Sequence, residues 1–297
     1  MKRLHRFVLM AMLIVLQGVA QGDPVSSAAC EARIESITLK GAMDYSPFDR
    51  WDRVETLDIH VRRGGVCTLA FTFESHNRNR LSGSRESLTY RIQTHSGNDL
   101  RLNGVNVYSG RAIASGDDSR FPVSVVIPAG QPARAGAYSD RVSVQLMNGS
   151  RVIDTHELTL KSDVRPQARI RISGSSTTGF SSADGAGLDF GSLTSGEEKS
   201  AYLFVQSNSA YALQLTSENR GRLRHVHGSA SNAYIAYRAW LDDKLLDLRR
   251  AETYRPSPGR ALDATTPYRL RVRIGDVSRA IAGRYRDTIS VDVLLLE

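Results

Sequence analysis

The stretch AGAYSDRVSVQL (Ala135–Leu146) returns 147 positions later as AGRYRDTISVDV (Ala282–Val293). A chain that repeats itself at a fixed offset must build one unit twice. Further pairs keep the same order. FPVSVVI (Phe121–Ile127) answers YRLRVRI (Tyr268–Ile274), and LTYRI (Leu88–Ile92) answers IAYRA (Ile235–Ala239), both at 147. LDIHVRRGGVCTLAF (Leu57–Phe71) answers AYLFVQSNSAYALQL (Ala201–Leu215) at 144, and MDYSPF (Met43–Phe48) answers LDFGSL (Leu188–Leu193) at 145. The two copies span 23–164 and 165–297, joined near Lys161–Gln167, where Pro166 punctuates the boundary.

Each copy is written in short alternating runs broken by Gly, Ser, Asn and Pro, the pattern of an all-β sandwich. Only Leu241–Ala251 reads as either a short helix or an irregular edge segment. The copies differ at their ends. In the first, Asn148-Gly149 predicts a hairpin turn, because both central positions need φ > 0. A further strand follows at Arg151–Leu160, with Val152, Leu158 and Leu160 sharing a face with Asp154 and His156. The second copy ends four residues after Val293. The expectation is a second sandwich lacking its final strand, with an apolar groove lined by Ile170, Ile172, Ile289, Val291, Val293 and Leu295. Such an edge templates another chain. Four or five apolar side chains of a guest strand would contribute about 1.5–3 kcal/mol each before ordering costs.

Residues 1–22 read as a secretory signal peptide: Lys2, Arg3 and Arg6, then an apolar run Phe7–Leu16, then Ala20-Gln21-Gly22. The two cysteines, Cys30 and Cys67, are most simply a disulfide in an oxidising compartment. Closing that loop stabilises by about 3–4 kcal/mol in the chain-entropy picture. A metal pair lacks further cysteine or clustered histidine. The net charge of +8 is uneven: 23–164 holds 17 basic and 17 acidic residues, and 165–297 holds 19 and 14. Arg169 and Arg171, like Arg269, Arg271 and Arg273, alternate with apolar residues, as on the solvated face of a half-buried strand. An anionic partner is the other reading.

The repeated Ala-Gly-x-Tyr-x-Asp strand carries Gly136, Tyr138 and Asp140 in one copy and Gly283, Tyr285 and Asp287 in the other. With the LDFGSLTSGEEKSAYLFVQSNSAYALQL stretch, Cys30, DYSPF and Cys67, the chain resembles subunits of archaic (Csu-type) chaperone–usher pili, the spore coat protein U domain family. The resemblance implies two tandem immunoglobulin-like (pilin-type) β-sandwiches, secreted through the periplasm to a cell-surface fimbrium. Its implied partners are a periplasmic pilus chaperone, an outer-membrane usher and a neighbouring pilin subunit that donates a strand. It implies no catalysis and no cofactor. Asp23–Ala29 is short and polar for a donor strand. An acceptor-only, two-unit subunit resembles a tip adhesin whose first domain attaches to an abiotic or host surface, as in a biofilm. Val107, Tyr108, Ile113 and Met147 are candidate contact residues at the far pole, with Val107 and Tyr108 alternatively ordinary strand residues facing the core.

Catalytic signatures are absent: there is no Gly-x-Ser-x-Gly, His-Glu-x-x-His or phosphate loop. His225 and His227 offer a weak metal pair, more simply a polar strand end; Asp117-Asp118 and Asp242-Asp243 read as turns. Arginine-rich faces without interleaved aromatics argue against nucleic acid. The leading reading is the pilus tip subunit. Behind it stand a structural coat or matrix protein using the same strand exchange and, more remotely, a secreted β-sandwich lectin or hydrolase.

Overall fold

A computed structural model describes residues 30–64, 67–102, 107–111, 118–174, 186–227, 233–256 and 267–296. The signal-peptide segment, Asp23–Ala29 and Ile113 lie outside the described residues. The fold is all-β, and no helix occurs among the described residues.

The first half contains β1 (Glu31–Leu39), β2 (Arg53–Gly64), β3 (Leu69–Ser75), β4 (Arg80–Ser82), β5 (Ser87–Thr89), β6 (Arg91–Thr94), β7 (Arg101–Leu102), β8 (Val107–Arg111), β9 (Asp118–Ile127), β10 (Gly136–Asn148) and β11 (Arg151–Val164). The second contains β12 (Ala168–Gly174), β13 (Glu198–Ser207), β14 (Tyr211–Ser217), β15 (Arg222–His225), β16 (Tyr234–Leu241), β17 (Lys244–Leu246), β18 (Glu252–Tyr254), β19 (Tyr268–Ile274), β20 (Tyr285–Arg286) and β21 (Ile289–Leu295).

The main strands of the two halves correspond in order. The sheet β1-β2-β9-β6 matches β12-β13-β19-β16 in order. On the opposing layer, β8-β3-β10 matches β18-β14-β21. Alternation explains the packing: in β13, Ala201, Leu203 and Val205 are buried while Tyr202 and Gln206 face out. Each half has its own apolar core, one around Leu57, Phe73 and Leu146, the other around Leu203, Leu213 and Tyr268. Cys30 and Cys67 form a disulfide in the first half, tying the chain just before β1 to the segment between β2 and β3.

The segment after Leu241 is not a helix. Asp242 takes φ 51°, and β17 folds back on β16 as a hairpin. A two-residue Asp-Asp turn therefore decides that stretch against its helix-like spacing. Asn208 fixes the junction between the halves. Its side chain accepts from Gln167 N at 2.7 Å and donates to Arg165 O at 2.8 Å, and its carbonyl accepts from Ala135 N at 2.9 Å.

Candidate functional site

One strand has no counterpart. β11 pairs with β10 along its whole length, from Gly136↔Val164 to Asn148↔Arg151. Its inward side chains Leu160, Ser162 and Val164 are buried. It also fastens the opposite layer. Asp154 Oδ2 accepts the Ile34 amide at 2.7 Å, Ser162 Oγ donates to Met43 O at 2.5 Å, and Tyr45 N donates to Asp163 O at 3.1 Å. The sequence pattern set Val152 on this inward face. A register shift between Leu146 and Met147 instead leaves Ile153 as the extra residue, so Ile153 packs on the core and Val152 is exposed.

In the second half, β21 pairs only with β14, and β12 pairs only with β13, among the described residues. The same sequence positions are consequently buried to different depths. Val142, Val144 and Leu146 are 1%, 0% and 0% exposed, whereas their counterparts Ile289, Val291 and Val293 are only half-buried. Met43 and Tyr45 are buried, whereas Leu188 and Phe190 are half-buried. Ile170 and Ile172 from β12 pack against the same core as Ile289, Val291 and Val293. The structure thus brings five of the six groove residues around one core. Leu295, at 40% exposure, stands outside it. Leu188 and Phe190 also pack on this core. The match of LDFGSL to MDYSPF was the sequence signal that could have assigned them to the groove.

The repeated motif holds both halves in the same way. Gly136 and Gly283 have φ of 146° and 148°, backbone that a Cβ disfavours. Tyr138 donates to Arg134 O and Tyr285 to Ile281 O, each at 2.9 Å and four residues back. Asp140 Oδ2 accepts from Ser75 Oγ at 2.5 Å and Tyr90 OH at 2.7 Å; Asp287 Oδ2 accepts from Ser217 Oγ at 2.6 Å and Tyr237 OH at 2.5 Å. Burial first, and the bond to Asp287 second, push the Tyr237 phenol well above the usual tyrosine range. These knots are structural: each ties a carboxylate to a serine and a tyrosine of its own sandwich, with Asp287 Oδ1 also accepting from Asn219 N at 2.9 Å, whereas Asp140 Oδ1 is buried without a partner among the described residues.

The other candidates fall elsewhere. Val107 and Tyr108 belong to β8, opposite Glu74 and Phe73, and not to a loop tip. Met147 is half-buried at the end of β10 beside the Asn148-Gly149 turn, where Thr72 Oγ1 donates to its Sδ at 3.4 Å. Ala135 contacts the second half at the other end of β10, so this turn lies about 40 Å away along the strand. His225 ends β15. Its Nδ1 accepts from His227 N at 3.1 Å, and its Nε2 lies 3.3 Å from Ala282 O. No group of three metal-ligating side chains occurs among the described residues.

The geometry defines a class: an all-β protein of two matching sandwiches, one closed and one with an open apolar edge. No protein-family model matches the chain, and no curated protein does. Among solved structures it is similar to the CsuC–CsuE chaperone–tip adhesion subunit pre-assembly complex of the archaic chaperone–usher Csu pili of Acinetobacter baumannii. Identity is 16%, over 77% of this chain and 85% of that one, with a TM-score of 0.45. It is also similar to a chaperone–tip adhesin complex of CFA/I fimbriae, at 12% identity over 90% and 84% of the two chains and a TM-score of 0.32. Self-complemented MyfA, the major subunit of Myf fimbriae from Yersinia enterocolitica, matches at 11% identity over 46% of this chain and 98% of that one, with a TM-score of 0.33.

Proposed function

We propose that the chain is a secreted subunit of an archaic chaperone–usher pilus, and within it the two-domain tip adhesin. Residues 1–22 are the signal peptide, 23–164 the adhesin-like domain, and 165–297 a pilin-type, spore coat protein U-like domain that accepts a strand. The observation that carries this reading is the difference between β10, roofed by β11, and β21, whose outer edge is unpaired among the described residues. A donor strand laid along β21 would cover Ile289, Val291 and Val293 as β11 covers Val142, Val144 and Leu146. A periplasmic chaperone occupies the cleft first and a neighbouring subunit later, with an outer-membrane usher between the two states. The first domain needs no donor, which suits a subunit at the end of a fibre attaching to an abiotic or host surface. The Met147–Ser150 turn is the proposed contact pole.

Co-expression tests this. The chain made alone should aggregate or unfold readily, and with its cognate periplasmic chaperone it should purify as a one-to-one complex. A chain that folds alone into a stable monomer and ignores the chaperone would overturn the reading.

A further inference from the structure

The arginines of the second half do have aromatic neighbours, supplied by the sheet order. In the sheet β12-β13-β19-β16, β12 presents Arg169 and Arg171 on its outer face, and β13 presents Tyr202 and Phe204. β19 presents Arg269, Arg271 and Arg273, and β16 presents Trp240 and Arg238. Arginine strands and aromatic strands alternate. The register makes the pairs direct: Arg171 stands opposite Phe204, Arg269 opposite Tyr202, and Arg271 opposite Trp240. The Arg171 guanidinium lies 4.9 Å from the Phe204 ring centroid, and that of Arg271 lies 4.7 Å from Trp240. Stacking of this kind holds a guanidinium flat with its donors free at the edge. Among the described residues only one carboxylate, Glu198, shares the face with these six arginines, reaching Arg271 at 3.6 Å and Arg273 at 3.8 Å.

The corresponding face of the first half is built differently. Glu35 pairs with Arg33 at 2.8 Å and Arg62 at 3.6 Å; Asp58 pairs with Lys40 at 3.2 Å and Arg120 at 3.8 Å. His60 is paired with Asp118. Its charges are paired with several carboxylates where they stand, whereas on the second half's face the single Glu198 reaches only Arg271 and Arg273, and Arg269 Nε donates to Ser200 Oγ at 3.0 Å.

We propose that the outer face of β12-β13-β19-β16 binds an anionic polysaccharide bearing carboxylate or sulfate groups. Cationic positions recur about every 6.8 Å along β19, with neighbouring strands about 4.8 Å apart, a two-dimensional grid suited to an extended charged polymer. Each guanidinium can meet carboxylate or sulfate with two parallel N–H donors. Nucleic acid is the weaker fit. Phe204 and Trp240 already carry a guanidinium on a ring face, which leaves less ring for bases to stack on. The inference rests on this face alone, not on strand acceptance at the opposite layer.

The test uses the full chain, by itself if it folds by itself and otherwise in its one-to-one chaperone complex with the chaperone alone as blank, over immobilised heparin, with neutral dextran and oligo(dT) as comparison polymers. Arg269→Gln, Arg271→Gln and Arg273→Gln together should weaken heparin binding about tenfold or more with an unchanged circular dichroism spectrum. Arg33→Gln, Arg62→Gln and Arg120→Gln remove the same charge from the first half and should change it by less than about twofold. Replacing Arg269, Arg271 and Arg273 by Lys keeps the charge and should give an intermediate loss, because the two-pronged contact is gone. Equal losses in the two glutamine triples, no heparin binding by the unaltered chain, or tighter binding of oligo(dT) than of heparin would overturn the proposal.

Discussion

The two halves carry the same strand at Val142–Leu146 and Ile289–Val293, with the same alternation and the same motif before it. In one it is sealed, and in the other it is left half-open. The strand's own residues do not decide this. Its neighbour does: β11 roofs β10 from end to end, and nothing described roofs β21. Apolar alternation thus specifies which face seeks cover, while burial depends on whether a further strand is there to supply it.

The largest expected effect breaks the comparison at the disulfide. Changing Cys30 and Cys67 to Ser should cost the first half about 3–4 kcal/mol and leave the second unmoved. The two tryptophans separate the readouts, since Trp51 lies in the first half and Trp240 in the second. Denaturant unfolding of Trp51→Phe and Trp240→Phe backgrounds should show the loss only where Trp51 reports.

A smaller pair sharpens it. Val144→Ala should cost about 2 kcal/mol, because it empties a sealed position. Val291→Ala at the matching half-buried position should cost about half as much. Binding a donor strand or chaperone should raise the Val291→Ala cost toward that of Val144→Ala. Equal costs in the free chain would contradict the contrast.

The motif glycines come next. Gly136→Ala and Gly283→Ala both place a Cβ at positive φ, at about 1 kcal/mol or somewhat more each. A Cβ at Gly136 meets open space, whereas at Gly283 it collides with the His225 imidazole. Gly283→Ala should therefore be the more harmful, and His225→Ala should relieve it without helping Gly136→Ala.

The smallest effect concerns pH. Tyr237 keeps its proton in the folded state beyond the range where an unfolded tyrosine, near pH 10, gives it up. Its contribution is complete below about pH 10 and declines as pH rises past that value, because only the unfolded state then ionises. Tyr237→Phe should cost about 1 kcal/mol at neutral pH and flatten the alkaline limb of the second half's stability. An alkaline limb unchanged by that substitution would show the proton is held elsewhere.

Much of this was legible in the sequence. The 147-residue offset joined Tyr90 to Tyr237 and Asp140 to Asp287, and the unmatched Arg151–Leu160 stretch marked the odd strand. The serines that complete the knots were not legible. Ser75 and Ser217 stand 142 apart, so the drift in offset hid their equivalence until strand pairing brought both to a carboxylate. Ile153 escaped because a bulge reverses which side chains face in. Val107 and Tyr108 read either as far-pole contacts or as ordinary strand residues, and only the backbone pairing with β3 decides for the strand. The alternation of arginine with aromatic strands was invisible because β13 and β19, or β12 and β13, are neighbours only in the sheet.

Amide hydrogen exchange along β10 and β21 tests the central claim most directly. In the free chain, the alternate amides of Ile289–Leu295 that face away from β14 should exchange at least about tenfold faster than the amides that β10 directs to β11, and a bound chaperone or donor strand should slow them to match. Protection of both edges of β21 to the level of β10, with no partner present, would mean that the second sandwich is already closed.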